Sequence, residues 1–135
     1  MRWCLRVLAT ILRFYWALID PVSTQFTHNF IVYCGTTFSE VFVWSENDAL
    51  VNLTGWEAQM QMRSPTATYS ILSSDGQINL GVTGEISLTL DSHTTTSMLP
   101  GTYVWDLLLK NSDGEIQPPM VSGVATVLQG ITVWQ

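Results

Sequence analysis

Positive charge is the scarcest feature of this sequence. Its 135 residues include one lysine and four arginines against eleven acidic residues, and charged residues make up only 12% of the chain. A protein with so few cations and a net charge of −6 lacks the basic surface that binding to nucleic-acid phosphates requires. The apolar fraction of 47% is too high for a disordered segment. The composition therefore predicts a single folded domain with no nucleic-acid partner.

Cysteine and histidine are also rare, with two residues of each. Cys4 and Cys34 lie in different segments and belong to no CxxC or Cys/His cluster, so the sequence predicts neither a disulfide framework nor a zinc site. We expect both thiols to be free and buried as small apolar groups. A domain of this length can bury a sufficient core without disulfides or metals.

The sequence also lacks the motifs of catalysis and cofactor binding. It contains no nucleophile elbow, no glycine-rich phosphate loop and no calcium-binding loop. Asp91, Ser92 and His93 are adjacent, but neighbouring residues point in different directions, so their adjacency does not make a catalytic triad. The sequence therefore predicts a protein that is not an enzyme and that needs no cofactor and no metal.

Residues 1–20 differ from the rest of the chain. They are nearly all apolar and carry three arginines against one aspartate, a net charge of +2, whereas the remaining residues carry two cations against ten acids, a net charge of −8. On a helix, Arg2, Arg6 and Arg13 would fall within about 40° of one another. The pattern predicts a short apolar helix with a basic stripe, ended by Pro21.

Four roles are open to this helical extension. A transmembrane span requires about 20 uninterrupted apolar residues, and Arg6 and Arg13 interrupt this one. A secretory signal requires an unbroken apolar centre and a small-residue cleavage site. An amphipathic anchor, in a membrane or in a partner's groove, suits the basic stripe. The fourth role is favoured: the segment is an extension outside the domain. One version of this interpretation places the true translation start at Val22. A membrane partner follows only from the anchor.

From residue 26 onward the pattern becomes that of short strands. Segments rich in β-branched and aromatic residues are separated by turn residues every 8 to 12 positions or so, and no helical segment lies between them. They predict seven to nine strands in an antiparallel immunoglobulin-like β-sandwich that spans residues 22–135, after an extension of residues 1–21. The expected segments are 26–33, 36–45, 56–63, 67–74, 77–82, 84–91, 102–110 and 115–129, with a loop or single helical turn at 92–101. Residues 130–135 are either a last short strand or a tail.

Alternation within these segments also predicts which side chains are buried. We expect Pro118 and Pro119 to lie at an edge or a bulge, because neither can donate a ladder hydrogen bond. The expected core comprises Trp56, Ala58, Met60, Met62, Ile71, Ile86, Leu88, Leu90, Tyr103, Trp105, Leu107 and Leu109.

Four motifs, in this order, resemble a family of small virion proteins of tailed bacteriophages. They are TFSEVFVW, VNLTGWEAQMQMRS, GEISLTLD and LPGTYVWDLLLKNSDGEI. The resemblance covers about residues 25–128, and the pattern is similar in outline to the N-terminal domain of phage baseplate upper proteins. Two departures stand out: residues 1–20 have no counterpart, and Leu108 occupies a position that is often polar in the family.

The resemblance implies an immunoglobulin-like sandwich that serves as a structural part of the virion, in the tail, baseplate or tail-fibre attachment region. It implies other virion proteins as partners, a symmetric oligomeric assembly and no catalytic residues. Such a part docks through open strand edges or an apolar outer surface. The candidate interface residues are Val104, Leu108, Ile131, Val133 and Trp134.

The sequence leaves three other functions open. One is a neck or head-decoration protein of the virion. Another is an immunoglobulin-like module that binds carbohydrate, against which the lack of an aromatic residue in the 92–101 loop counts. The third is an accessory protein anchored or secreted through residues 1–20.

Overall fold

Two β-sheets account for most of the chain in a computed structural model that describes residues 3–9, 12–19, 26–119 and 121–131. Sheet A has the strand order β2-β1-β5-β10-β9, with β6 also paired to β5, and sheet B has the order β3-β12-β11-β7-β8, with β4 also paired to β12. The strands are β1 (Trp3–Ala9), β2 (Leu12–Ile19), β3 (Phe26–Thr27), β4 (Phe30–Tyr33), β5 (Phe38–Glu46), β6 (Ala49–Leu50), β7 (Glu57–Arg63), β8 (Thr68–Leu72), β9 (Ile78–Leu80), β10 (Glu85–Leu90), β11 (Gly101–Lys110) and β12 (Val121–Leu128).

The strand order confirms the expected immunoglobulin-like sandwich. Strands β12-β11-β7-β8 opposite β5-β10-β9 reproduce the order G-F-C-C′ opposite B-E-D of immunoglobulin domains. β3 and β4 run parallel to β12, and the other pairings among the described strands are antiparallel. Helix in the described part of the chain is limited to α1 (Ser92–Thr96) and a 3₁₀ turn at Ser73–Asp75.

The N-terminal segment forms a hairpin, so the predicted short apolar helix is wrong. β1 pairs antiparallel with β2 on one side and with β5 on the other, and its register with β2 shifts between Leu5 and Val7. An apolar run of this kind fits a strand as well as a helix, and β5 offers main-chain partners that only an extended segment can use. The proposed division of the chain at residue 21 stays a prediction, because residues 20–25 lie outside the described part.

The first strand expected in the domain is split into β3 and β4 by a kink at His28 and Asn29. The main chain there passes so close to Gly123 of β12 that a Cβ at that glycine would lie 2.0 Å from the His28 carbonyl oxygen. The Asn29 Oδ1 accepts a hydrogen bond from the Val124 N–H at 2.8 Å, and the His28 carbonyl accepts one from Trp105 Nε1 at 2.9 Å. Side-chain groups thus replace ladder hydrogen bonds at the kink.

The side chains between the two sheets confirm most of the expected core. Every expected residue on β7, β8, β10 and β11 is buried. Trp56, just before β7, is half-buried instead, and its ring packs edge-on against Trp44 with the centroids 5.2 Å apart. In the described part of the chain, the buried apolar residues beyond the expected core are Phe30, Val32, Phe42, Trp44, Leu53, Ile78, Met98, Val121, Ala125 and Val127.

An aromatic pair connects the sheets where immunoglobulin domains have a disulfide. The Tyr103 hydroxyl donates to the Leu99 carbonyl at 2.5 Å, which is the tyrosine corner of such domains, and the residue two positions later is ordinarily a bridged cysteine. Here that residue is Trp105, whose ring centroid lies 6.2 Å from that of Phe42 on β5. Cys34 is free and half-buried, and its thiol lies 3.4 Å from the Met98 carbonyl oxygen.

The strand that follows β11 in the chain, β12, is shorter than predicted. The predicted strand at 115–129 begins only at Val121, and Pro118 and Pro119 lie in the connection before it. The two prolines therefore remove no ladder hydrogen bond.

Candidate interaction surface

The residues that invite a catalytic interpretation have structural roles. The Asp91 carboxylate caps α1 by accepting the Thr94 N–H at 2.7 Å, and the hydrogen bonds from Thr94 lower the pKa of Asp91 below its usual value. Ser92 begins the helix, and His93 is exposed within it. These three side chains therefore do not form a relay of nucleophile, base and orienting acid.

The described part of the chain contains neither a cluster of metal ligands nor a membrane-spanning helix. Among the described residues, no group of three or more histidine, cysteine, aspartate or glutamate side chains is placed to hold a metal ion. No described helix has the length and apolar character to cross a membrane.

The outer face of sheet B carries an exposed apolar surface, which we call the valine patch. Val104 on β11 lies directly opposite Val124 on β12, and Val104 is 63% exposed. On the other side of β12, Tyr33 of β4 lies opposite Leu128. The patch consists of Ile31, Tyr33, Val104, Val124 and Leu128, all of them exposed. Thr126 lies between Val124 and Leu128 on the same face of β12. The three paired strands therefore present one largely apolar surface to solvent.

A polar band borders the valine patch. The Arg63 guanidinium donates to Gln61 Oε1 at 2.7 Å, and Gln61 Nε2 in turn donates to the Ser70 hydroxyl at 2.9 Å. Asp106 on β11 lies opposite both Gln61 and Ser122. A cavity of about 190 Å³ opens above this band, with Val104 at its border. Hydrogen bonds between the side chains hold the band in a fixed arrangement.

A second apolar region, the Leu108 groove, lies at the other end of the same face. Leu72, Leu108 and Ile116 contribute apolar surface to its lining, and its cavity has a volume of about 250 Å³. The Lys110 Nζ and the Glu57 Oε2, 2.6 Å apart, form an ion pair at its wall. Ile116 is 70% exposed, so this groove is open to solvent.

Next to the groove, β8 forms one edge of sheet B. The Ser64 N–H donates to the Ala67 carbonyl at 2.8 Å, which makes this residue pair hydrogen-bonded. Because hydrogen-bonded and non-hydrogen-bonded pairs alternate in an antiparallel ladder, Tyr69 bonds to β7 while Thr68 and Ser70 direct their main-chain groups outward. The outer edge of β8 therefore offers main-chain donors and acceptors to another strand.

The structure divides the five candidate interface residues among different places. Val104 is exposed and belongs to the valine patch, whereas Leu108 is half-buried and lines the groove. Ile131 is fully exposed after β12, and Val133 and Trp134 lie outside the described residues. The sequence analysis did not select Ile31, Tyr33, Val124 and Leu128, although their alternation with buried neighbours in FIVY and VSGVATVL is the signal that identifies them.

Comparison with known proteins identifies no family for this chain. No protein-family model matches the chain, and no curated protein matches it. A structure of murine CRIg is similar at 11% sequence identity, with a TM-score of 0.36, over 80% of this chain and 93% of that one. The strand order and the packing between the two sheets identify the fold.

Proposed function

We propose that this protein is a non-enzymatic structural component of a tailed-bacteriophage virion, located in the tail, baseplate or tail-fibre attachment region. It acts by docking the outer face of sheet B against another virion protein. The observation that carries the docking role is the valine patch, an exposed apolar surface on three paired strands. The four sequence motifs that resemble phage virion proteins support the location.

The composition of this face suits a protein–protein interface. Such interfaces combine an apolar centre, depleted of charge, with a polar rim. The valine patch contains no charged residue, and the ordered side chains of Arg63, Gln61 and Ser70 lie along its border. Burying Val104 and its neighbours against a partner would stabilise the contact by about 25 cal/mol for each Å² of apolar surface removed from water.

The virion role is tested by the composition of purified particles. Phage particles produced with this chain are separated on a density gradient and analysed by quantitative mass spectrometry. We expect the protein in a fixed number of copies per particle. Particles that lack it, or that carry it in amounts varying between preparations, would contradict the proposal.

The docking role is tested by substitution in the same particles. We expect Val104→Asp to prevent incorporation, because it places a carboxylate on the most exposed side chain of the patch, where burial against a partner would desolvate it. Val82→Asp is the matched control, since Val82 is 65% exposed and lies in the turn between β9 and β10, away from the patch. Equal incorporation of both variants would exclude the valine patch as the docking surface.

The polar band favours a second candidate, a carbohydrate-binding module. Gln61, Arg63, Asp106 and Ser122 line one cavity, and amide, carboxylate and hydroxyl groups are suitable partners for sugar hydroxyls. Binding of the full chain to a glycan array, lost in Asp106→Ala, would support this function in place of the docking role.

A neck or head-decoration position would appear as density at those sites in a cryo-EM map of the particle.

A further inference from the structure

The carboxylate of Asp106, on the outer face of sheet B, has no partner within the described part of the chain. The close contacts there between an acid and a base join Lys110 to Glu57 and His28 to Glu40, and no hydrogen bond between described residues ends on the Asp106 side chain. That side chain is nevertheless half-buried. Carboxylates in such positions are ordinarily hydrogen-bonded or ion-paired, because water solvates them incompletely. This one is therefore free to bind a group from outside the chain.

The polar neighbours of Asp106 direct their hydrogen bonds elsewhere. Gln61, directly opposite on β7, accepts a hydrogen bond from Arg63 and donates one to Ser70, so its amide is already engaged. Ser122, directly opposite on β12, makes no hydrogen bond with the carboxylate in the described structure. Asp106 lines the cavity of about 190 Å³ together with these residues. Its acceptor sites are therefore available to a group that enters this cavity.

Docking on the valine patch would remove water from this carboxylate. Val104 lies two positions before Asp106 on the same face of β11, about 7 Å along the strand, and it lines the same cavity. A partner that covers Val104 therefore also covers the cavity. A carboxylate that loses its water and gains no donor opposes association, so a partner that binds this face has to supply one.

We propose that the docking partner carries a lysine or arginine side chain that enters this cavity and pairs with Asp106. The inference rests on the docking role proposed above and specifies the chemistry of the partner. Residues 21–135 carry ten acidic residues against two cations, and one of these cations, Lys110, is already paired with Glu57. The charge around the face therefore attracts cations. An ammonium or guanidinium group also provides the charge-assisted hydrogen bonds that a carboxylate accepts most strongly.

Arg63 also lines the cavity, but it needs an incoming partner less than Asp106 does. Its side chain is exposed and already donates to Gln61, so the guanidinium can stay hydrated at the rim of a docked partner. The half-buried carboxylate of Asp106 has no such alternative. The charge of Arg63 would oppose an incoming cation and attract an incoming anion. Removing each of the two charges in turn therefore distinguishes a basic partner from an acidic one.

The test is a competition between full-length variants for places in the particle. Particles are assembled in cells that supply the original chain and one variant in equal amounts, and quantitative mass spectrometry measures the ratio of the two in purified particles. We expect Asp106→Asn to be under-represented about tenfold, because it removes the charge that the partner's cation binds. Asp113→Asn is the matched control: it removes the same charge from the exposed turn after β11 and should be incorporated as well as the original chain.

Two further measurements identify the incoming group as a cation. Arg63→Gln should be incorporated at least as well as the original chain, because it removes a like charge from the cavity. Added sodium chloride should release the original chain from particles, and it should change the release of Asp106→Asn much less, because salt screens an ion pair that this variant lacks. Urea unfolding of the purified variants checks that they fold, and Asp106→Ser replaces Asp106→Asn if the latter does not.

The outcomes separate this inference from the docking role on which it rests. Exclusion of Val104→Asp with normal incorporation of Asp106→Asn would overturn the inference and leave the docking role intact. Normal incorporation of both variants would exclude the docking surface itself. Depletion of Arg63→Gln alone would mean that the partner supplies an acid, and a depletion of Asp106→Asn with unaltered salt dependence would mean that it supplies an uncharged donor. Either of these results would also overturn the proposal.

Discussion

The Tyr103 hydroxyl joins the connection after α1 to the sandwich. It donates to the Leu99 carbonyl, while the Leu99 N–H donates to the hydroxyl of Tyr69 at 2.8 Å. Tyr103→Phe keeps the buried ring but leaves that carbonyl without its donor. We expect the free energy of unfolding in urea to fall by roughly 1–3 kcal/mol. Tyr33→Phe, on the exposed outer face, is the control and should leave it unchanged; an equal effect of the two substitutions would contradict this role.

The raised pKa of the Tyr103 hydroxyl makes the stability of the fold decrease at alkaline pH. Burial, and next the neighbouring Tyr69, raise the pKa of Tyr103 above its ordinary value of 10.0. Because the folded state keeps the phenol protonated, its stabilising contribution is complete below pH 10 and is lost as the pH rises through the raised pKa. We expect the difference in Tm between the original protein and Tyr103→Phe to shrink above pH 10. A Tm difference that stays constant from pH 8 to 11 would show that folding does not change the pKa of this hydroxyl.

At the scale of elements, the kink between β3 and β4 depends on the absence of a side chain at Gly123. A methyl group at this position would collide with the His28 carbonyl, and a main-chain atom cannot move aside as a flexible side chain can. We expect Gly123→Ala to cost roughly 1–3 kcal/mol or more, as overpacking does, when measured by urea unfolding. Ser122→Ala, at the preceding position, is the control. Equal stability of the two variants would mean that the chain approaches Gly123 less closely than described.

Strand alternation identified most elements but not all of their boundaries. The segments of β7, β10 and β11 carry apolar residues at alternate positions, and the segment of β5 is rich in aromatic and β-branched residues, so the sequence of each predicts a strand. The break at Asn29 was missed because it is caused by Gly123, which lies far away in the chain. The spacing of three arginines predicts a helix for residues 1–20, whereas the described ranges 3–9 and 12–19 are strands because β1 pairs with β5 and β2 pairs with β1. Long-range pairing overrode the local pattern in both cases.

At the scale of the whole molecule, the contact between Phe42 and Trp105 replaces a covalent link between the sheets. The Phe42 side chain is 1% exposed, and its removal leaves a cavity beside the indole ring. We expect Phe42→Ala to lower the free energy of unfolding by about 3–5 kcal/mol.

Dithiothreitol should leave the Tm of the original protein unchanged. A marked decrease on reduction would show that a disulfide, and not this aromatic pair, holds the sheets together.

The interaction surface was only partly predictable because it is assembled from strands that are distant in sequence. Val104 could be assigned to an outer face from the alternation of β11 alone. The patch around it forms because β12 pairs with β11 and β4 pairs with β12, and no local pattern specifies that order. Leu108 was expected on the same surface, but the Ile116 connection beside it creates a separate groove. Alternation therefore predicts which side chains face outward, and topology decides which of them meet.

The central claim is that the outer face of sheet B docks this sandwich onto a neighbouring virion protein. Hydroxyl-radical footprinting of the isolated chain and of assembled particles, with residues read by mass spectrometry, measures this directly. We predict that Tyr33, Val104 and Leu128 lose labelling in the particle while Val82, on the other side of the molecule, keeps it. Unchanged labelling of the valine patch in assembled particles would contradict the claim.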